Sequence, residues 1–114
     1  ISELIRRLNA KNELIDFSDV MQVISQHYQY EKSLFTNGGL VNQAGTNEGS
    51  CKIFYFAKIQ NLSEQATLNC FGLYYREDVL KHPLGNDHGN IRNFIKNGWA
   101  GITFECEVLK LNSA

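Results

Sequence analysis

The sequence predicts a single, mainly α-helical domain of about five short helices with a C-terminal β-strand. Three observations support this prediction. The chain has 114 residues, of which 43% are hydrophobic, and this suits one domain (residues 1–114) with a core of its own. Apolar residues recur at helical spacing in several separate segments. Strict alternation of apolar and polar residues occurs only near the C-terminus, where it indicates a half-buried strand.

Two amphipathic helices are predicted in the first 30 residues. The first has four apolar residues on one face, at positions i, i+3, i+4 and i+7: Ile1, Leu4, Ile5 and Leu8. The second begins near Asp16 or Ser18, because either side chain can accept hydrogen bonds from the N–H groups of a first helical turn. It ends near Tyr28.

A loop rich in Asn, Gly and Thr is predicted over residues 31–49. Asn37-Gly38-Gly39 and Gly45-Thr46-Asn47 are typical of turns, because these residues tolerate positive φ. A loop this long in a small domain is usually functional or disordered. Five apolar residues favour a loop held against the core: Tyr30, Leu34, Phe35, Leu40 and Val41.

Residues 51–58 fit two structures. The apolar run within them is compatible with a buried strand, and a strand here would make the fold α+β. The helical spacing of Ile53, Phe56 and Ala57, together with Ser50 as an N-cap, favours a buried helix instead. We predict the helix and keep the strand as the alternative.

The clearest predicted element is one helix that begins at the N-cap Ser63 and ends at His82, before Pro83. Its apolar face has members at relative positions 0, 3, 4, 7 and 11: Leu68, Phe71, Gly72, Tyr75 and Val79. This regular spacing over more than three turns predicts a core helix.

A last helix and a strand are predicted after residue 85. The helix has Asp87 as its N-cap and stops at Asn97-Gly98, with Trp99 folding back on Phe94. The strand has four alternating apolar residues: Ile102, Phe104, Cys106 and Val108. A single strand needs a partner for its backbone, either in the 34–41 loop, in residues 51–58 or in a second chain.

Charge and cysteine content exclude several classes of function. The chain has 11 basic and 12 acidic residues, for a net charge of -1. A nucleic-acid or anionic-membrane surface needs a basic excess, so we predict neither partner. Cys51, Cys70 and Cys106 contain no CxxC pair, so the sequence predicts no metal and no cofactor, and reduced thiols in a cytoplasmic setting.

Two motifs suggest chemistry. Residues 45–52 form a Gly-containing loop that opens a predicted helix, where free N–H groups favour anions. Cys51 lies at that helix start, and a helix N-terminus lowers the pKa of a thiol. With His82 or His88 as base, Cys51 would be the nucleophile of an enzyme. The simpler interpretation is a buried structural cysteine.

The densest polar cluster, residues 87–93, opens the last helix. We predict that it lies beside the 42–52 loop and that the two stretches form a surface for a protein partner or a small polar or anionic ligand. The proposed ligand-binding residues are Asn42, Asn47, Ser50, Cys51, Lys52, Asp87, His88, Asn90, Arg92 and Asn93. In the alternative, these amides only connect two loops.

Several stretches resemble the HopJ type III effector family across roughly residues 4–110. They include Asn42 to Phe54, Phe71-Gly72, Tyr74-Tyr75-Arg76, Asp87-His88, Asn90 to Phe94 and Gly98-Trp99. The resemblance implies a small, soluble, bacterial-type protein without a known set of catalytic residues. It also implies secretion into a host cell if the chain is a true effector. We therefore expect a binding module, monomeric or homodimeric, with a Cys51 enzyme as the alternative.

Overall fold

The computed structural model describes residues 1–10 and 14–112. The α-helices of this part of the chain are α1 (Ser2–Asn9), α2 (Phe17–His27), α3 (Glu48–Ile59), α4 (Glu64–Asn69) and α5 (Gly89–Asn97). The strands are β1 (Tyr28–Tyr30), β2 (Phe35–Asn37), β3 (Leu40–Asn42), β4 (Ile102–Phe104) and β5 (Leu109–Leu111). A π-helical segment, Tyr74–Val79, and a 3₁₀ turn, Gly98–Gly101, complete the regular structure of these residues.

The strands form two small antiparallel sheets. One sheet pairs β1 with β5, and the other has the order β3-β2-β4. The fold is therefore α+β, and the prediction of a mainly α fold with one strand is wrong. Each strand is three residues long, which is too short for a period of two to stand out in a sequence.

The predicted alternative tied an α+β fold to a strand at residues 51–58, and that link is also wrong. These residues lie within helix α3, as the N-cap and spacing favoured. Two of the strands come instead from the 31–49 region, where β2 and β3 form a hairpin around Gly38 and Gly39. Both glycines have positive φ, 57° and 90°, which a two-residue hairpin turn requires.

Of the predicted C-terminal strand, Ile102 to Val108, only the first three residues are a strand. They form β4, which pairs with β2 so that Thr36 lies opposite Thr103. The 34–41 loop was one of the three predicted partners. The chain then bends near Glu105, and β5 pairs with β1, with Lys110 opposite Gln29.

The long helix predicted from Ser63 to His82 is interrupted. Ser63 is the N-cap as predicted, with its hydroxyl accepting the Ala66 N–H at 3.0 Å. The interruption follows from Gly72, which has a φ of +59° and lies against the start of α2. A Cβ on Gly72 would lie 2.7 Å from the backbone nitrogen of Phe17. The sequence pattern places Gly72 on an apolar helical face, but its function is this close backbone approach.

The last helix ends as predicted and begins one residue later. Gly98 ends α5 with a φ of +59°, and the Phe94 and Trp99 rings meet edge to face at 5.1 Å. The N-cap is His88, so the assignment of Asp87 is wrong. The Asp87 carboxylate binds Arg92 instead.

Aromatic rings around Phe54 of α3 form the centre of the core. Phe94, Phe71 and Phe35 surround this ring at centroid distances of 5.0, 5.4 and 6.3 Å. All four side chains are at most 2% exposed, and burying each contributes about 1.5–3 kcal/mol. This cluster joins α3, α5 and β2, so it fixes how the two predicted site stretches lie. No helix in the described ranges is long and apolar enough to cross a membrane.

Candidate functional site

Buried asparagines connect the 42–52 loop to the start of α5. Asn42 and Asn90 exchange two side-chain hydrogen bonds, at 3.2 and 2.9 Å. Asn47 Nδ2 donates to Asn42 Oδ1 at 2.7 Å, and Asn37 Nδ2 donates to the backbone oxygen of Asn90 at 2.8 Å. The two stretches therefore lie side by side, and these amides bond one another, although the buried Asn37 Oδ1 has no partner among the described residues.

An open pocket of about 480 Å³ lies between these two stretches. Four large side chains line one part of it: Phe17, Leu40, Phe71 and Tyr74. The other lining residues come from the two helix starts: Asn47, Gly49, Ser50, His88, Gly89, Asn90 and Ile91. This combination of an apolar wall and converging polar groups is typical of small-molecule sites. We call it the ligand pocket.

Helices α3 and α5 begin in the same unusual way at the ligand pocket. Their N-cap residues, Asn47 and His88, are both left-handed, with φ values of 49° and 50°, and neither side chain caps its helix. The first-turn N–H groups that line the pocket have no acceptor among the described residues. They belong to Gly49, Ser50, Gly89, Asn90 and Ile91. The positive ends of two helix dipoles thus meet at one cavity.

His88 presents an oriented imidazole to the ligand pocket. Its Nε2 lies 2.9 Å from Asp78 Oδ2, and its ring packs on Tyr74 with centroids 5.3 Å apart. The Tyr74 ring in turn meets Phe17 edge to face at 5.3 Å. When Asp78 accepts the Nε2 proton of the neutral ring, Nδ1 is the remaining acceptor.

The predicted site residues divide into three groups. Asn47, Ser50, His88 and Asn90 line the ligand pocket. Asn42 and Asn93 lie behind it, and Asn93 Nδ2 donates to the Asn37 carbonyl at 3.0 Å. The other four, Cys51, Lys52, Asp87 and Arg92, do not line the pocket.

Cys51 is a core residue. Its side chain is 1% exposed, and burial raises the pKa of its thiol to about 11. A helix N-terminus lowers a thiol pKa, but here desolvation outweighs that effect and favours the protonated form. The thiol therefore lacks the activation that a nucleophilic cysteine needs.

The remaining charged residues have partners elsewhere. Lys52 Nζ lies over the Tyr30 ring at 4.5 Å from its centroid. Arg92 turns away from the ligand pocket and binds the loop before α5, where its Nη2 lies 2.6 Å from Asp87 Oδ1. Within residues 1–10 and 14–112, no three His, Cys, Asp or Glu residues are grouped so that they could hold a metal ion.

The aromatic wall was not foreseen from the sequence. The sequence predicts Phe71 in a core helix, and neither Phe17 nor Tyr74 is among the predicted ligand-binding residues. The turns at Asp87-His88 and Asn47 did indicate the polar part of the ligand pocket. Asn37 was read only as a turn residue, although it is fully buried and bonded to Asn90.

Comparison with known proteins gives a family. The family model described as HopJ type III effector protein matches residues 1–109. The chain belongs to this family. A solved structure described as the crystal structure of the unknown-function protein VPA0580 shares the HopJ fold, with a TM-score of 0.94 and 46% sequence identity. The match covers 98% of this chain and 93% of that chain. The comparison with curated proteins gave no match.

Proposed function

We propose that this HopJ protein is a non-catalytic binding module whose ligand pocket takes a small molecule with an anionic or carbonyl group and an apolar ring. The observation on which this rests is the pocket itself, where an apolar wall faces the starts of α3 and α5. A ring of the ligand packs between Phe17, Phe71 and Tyr74. Its oxygen atoms accept from the first-turn N–H groups.

The electrostatics of the ligand pocket favour an acceptor ligand. Two helix N-termini each contribute a partial positive charge of roughly half a unit. The amide side chains of Asn47 and Asn90 are occupied by the network behind the pocket, so the backbone N–H groups and the Ser50 hydroxyl are the available donors. Only a proline substitution removes a backbone N–H, but a larger side chain can fill the space in front of these donors.

The alternative, an enzyme that uses Cys51 and a histidine, has less support. A nucleophilic cysteine is an exposed or partly exposed thiolate, whereas Cys51 is buried and its pKa is raised to about 11. His88 lines the ligand pocket and Cys51 does not. The binding module needs only groups that line one cavity.

We propose a reducing, cytoplasmic setting for this function, in the producing cell or, if the chain is an effector, inside a host cell. The three cysteines are free thiols. Two of them, Cys51 and Cys70, are buried in the core. Such thiols persist where the cell keeps cysteines reduced.

Titration of the ¹⁵N-labelled protein with sodium benzoate, acetate and phosphate tests the proposal. We expect saturable shifts of the Gly49, Ser50, Gly89 and Asn90 amide signals, largest for benzoate because it adds a ring to the carboxylate. No saturable shift with any of the three at concentrations up to about 20 mM, which detects a millimolar Kd, would contradict the proposal.

A matched pair of variants locates the binding. Gly89 is the first residue of α5, and a Cβ there makes only an ordinary contact of 3.6 Å with Leu40. We therefore expect Gly89→Met to fill the pocket without unfolding the chain and to abolish the benzoate shifts. Ser2→Met changes the first residue of α1, outside the pocket, and should leave the shifts intact. Binding that survives Gly89→Met would place the site elsewhere.

A further inference from the structure

A turn after the π-helical segment holds a leucine out in solvent. The Gly85 N–H donates to the His82 carbonyl at 3.0 Å, which closes a four-residue turn with Pro83 and Leu84 in its central positions. Leu84 is 99% exposed. Single exposed leucines are common on proteins, so the meaning of this one depends on what surrounds it.

The turn is held in place from below by Arg92. Its guanidinium donates to the carbonyls of His82, Asp87 and Asp78 at 2.8, 2.6 and 3.3 Å, and to the Asp87 carboxylate at 2.6 Å. The Arg92 side chain is only 14% exposed. A Cβ on Gly85 would lie 2.7 Å from Arg92 Nη2, so a larger residue there would displace the guanidinium. The turn that carries Leu84 is therefore held in one position by hydrogen bonds.

A second pocket, of about 290 Å³, lies directly beside this turn. Its lining is largely apolar: Val79, Leu80, Pro83, Gly85, Arg92, Ile95 and Lys96. Leu80 and Ile95 are 54% and 47% exposed. An apolar projection and an apolar recess thus share one face of the molecule. We call Leu84 with this recess the leucine surface.

We propose that a second copy of this chain docks on the leucine surface about a two-fold axis, with Leu84 of each copy in the recess of the other. A two-fold interface uses the same patch on both copies, so the patch must complement itself. The exposed apolar side chain of Leu84 lies next to an apolar recess, so the patch can complement a second copy of itself. The inference does not depend on the ligand pocket, which lies between different segments.

The charges around the leucine surface complement one another in the same arrangement. Lys96 lies at the rim of the recess and has no acidic partner in the described part of the chain. Asp87 follows Leu84 by three residues, and its side chain is 59% exposed. Seating Leu84 brings its own Asp87 towards Lys96 of the other copy. The two-fold axis makes this pair twice, which favours one docking geometry over others.

Sedimentation velocity tests the proposal. The protein is measured at concentrations from about 10 µM to 1 mM, a range that suits a small interface. We expect a reversible dimer. Leu84→Lys should abolish it, because a lysine would enter a recess rimmed by Arg92 and Lys96. Leu111→Lys is the matched control, since Leu111 is 69% exposed on β5, away from the leucine surface. Both variants change exposed side chains, so both should fold.

A mixing experiment tests the geometry itself. Ile95→Glu alone should also abolish the dimer. Mixed in equal amounts, Leu84→Lys and Ile95→Glu should associate, because one interface half is then unchanged and the other pairs a lysine with a glutamate. A wild-type chain that stays monomeric at about 1 mM, a dimer that survives Leu84→Lys, or single variants that fail to recover on mixing would each overturn the proposal.

Discussion

Asn42 and Asn90 bind each other through both ends of their side-chain amides. Asn42 Nδ2 donates to Asn90 Oδ1, and Asn90 Nδ2 donates to Asn42 Oδ1. Both residues are at most 6% exposed, so neither amide can turn to water when its partner is lost. This reciprocal pair joins the end of the β2–β3 hairpin to the start of α5, and thereby fixes the ligand pocket in front of it.

The first prediction concerns this pair. Asn42→Ala and Asn90→Ala should each lower the free energy of unfolding by about 1–3 kcal/mol, because each removes hydrogen bonds from a buried amide that water cannot replace. The double variant should cost less than the sum of the two. Urea unfolding measures all three. Asn86→Ala is the control, since Asn86 is exposed and should change stability by less than about 0.5 kcal/mol. Additive costs for the pair would contradict a coupled network.

The second prediction concerns the aromatic core. Phe71→Ala should lower the free energy of unfolding by about 3–5 kcal/mol, because Phe71 packs on Phe54 at 5.4 Å and its removal leaves a cavity. Leu73→Ala, two residues away, removes a side chain that is 55% exposed and should cost much less. Equal melting temperatures for the two variants would refute the assignment of Phe71 to the core.

The third prediction compares two glycines. Gly72→Ala adds a Cβ that would lie 2.7 Å from the Phe17 backbone nitrogen, at a residue with positive φ. Gly39→Ala also has positive φ but meets nothing within 4 Å. We expect Gly39→Ala to cost about 1–2 kcal/mol from backbone conformation alone. The Gly72 variant should cost about 1–3 kcal/mol more, because its neighbours are backbone atoms that must move. Thermal unfolding gives the difference, and equal costs would mean that the close approach is absent in solution.

The fourth prediction concerns the cysteines. Burial raises the pKa of the Cys51 thiol to about 11 and that of the Cys70 thiol to about 12, whereas Cys106 is exposed. In the folded protein at pH 8, iodoacetamide should therefore modify Cys106 first and spare the other two. In denaturant without reductant, intact mass should show three modified thiols. A species with a single modified thiol would reveal a disulfide.

The fifth prediction is a pH dependence. The hydrogen bond from Arg92 lowers the pKa of Asp87, so the folded chain favours the ionised carboxylate. The resulting stabilisation is complete above the usual aspartate pKa of about 3.9 and is lost as the pH falls through the lower, folded value. Asp87→Asn should therefore lower the melting temperature at pH 7 and have little effect near pH 2. A constant difference at both pH values would contradict this role.

The sequence predicts most of the helices and the proximity of the two polar stretches for identifiable reasons. Ser63 and Asp16 act as N-caps through local hydrogen bonds, and local chemistry is visible in a sequence. Strand β1 was missed because its pairing joins residues far apart, such as Gln29 and Lys110, whereas the missed strands β2 and β3 pair locally as a hairpin. Three-residue strands leave almost no periodic signal.

The apolar half of the ligand pocket was missed for a different reason. Phe17 and Tyr74 are aromatic residues of the kind that also form cores. Only the three-dimensional structure shows whether such a side chain lines a pocket or lies in the core. For Arg92 the error is the opposite one, because it was predicted to bind a ligand and does not line the ligand pocket. The polar cluster at residues 87–93 suggested that Arg92 binds a ligand. The Arg92 guanidinium instead donates to the backbone carbonyls of His82 and Asp78, ten and fourteen residues earlier. No spacing rule in the sequence indicates these contacts.

Both sheets depend on strands from the C-terminal part of the chain, and this has a consequence for synthesis. β4 completes the three-stranded sheet, and β5 is the one strand that pairs with β1 among the described residues. A ribosome releases helices α1 to α4 and the β2–β3 hairpin well before either strand, and α5 shortly before β4. The nascent chain therefore carries unpaired strand edges at β1 and β2 until residues 102–111 leave the exit tunnel. For that interval, folding on the ribosome stops at the helical core, and exposed edges of this kind are where chaperones bind and where aggregation begins.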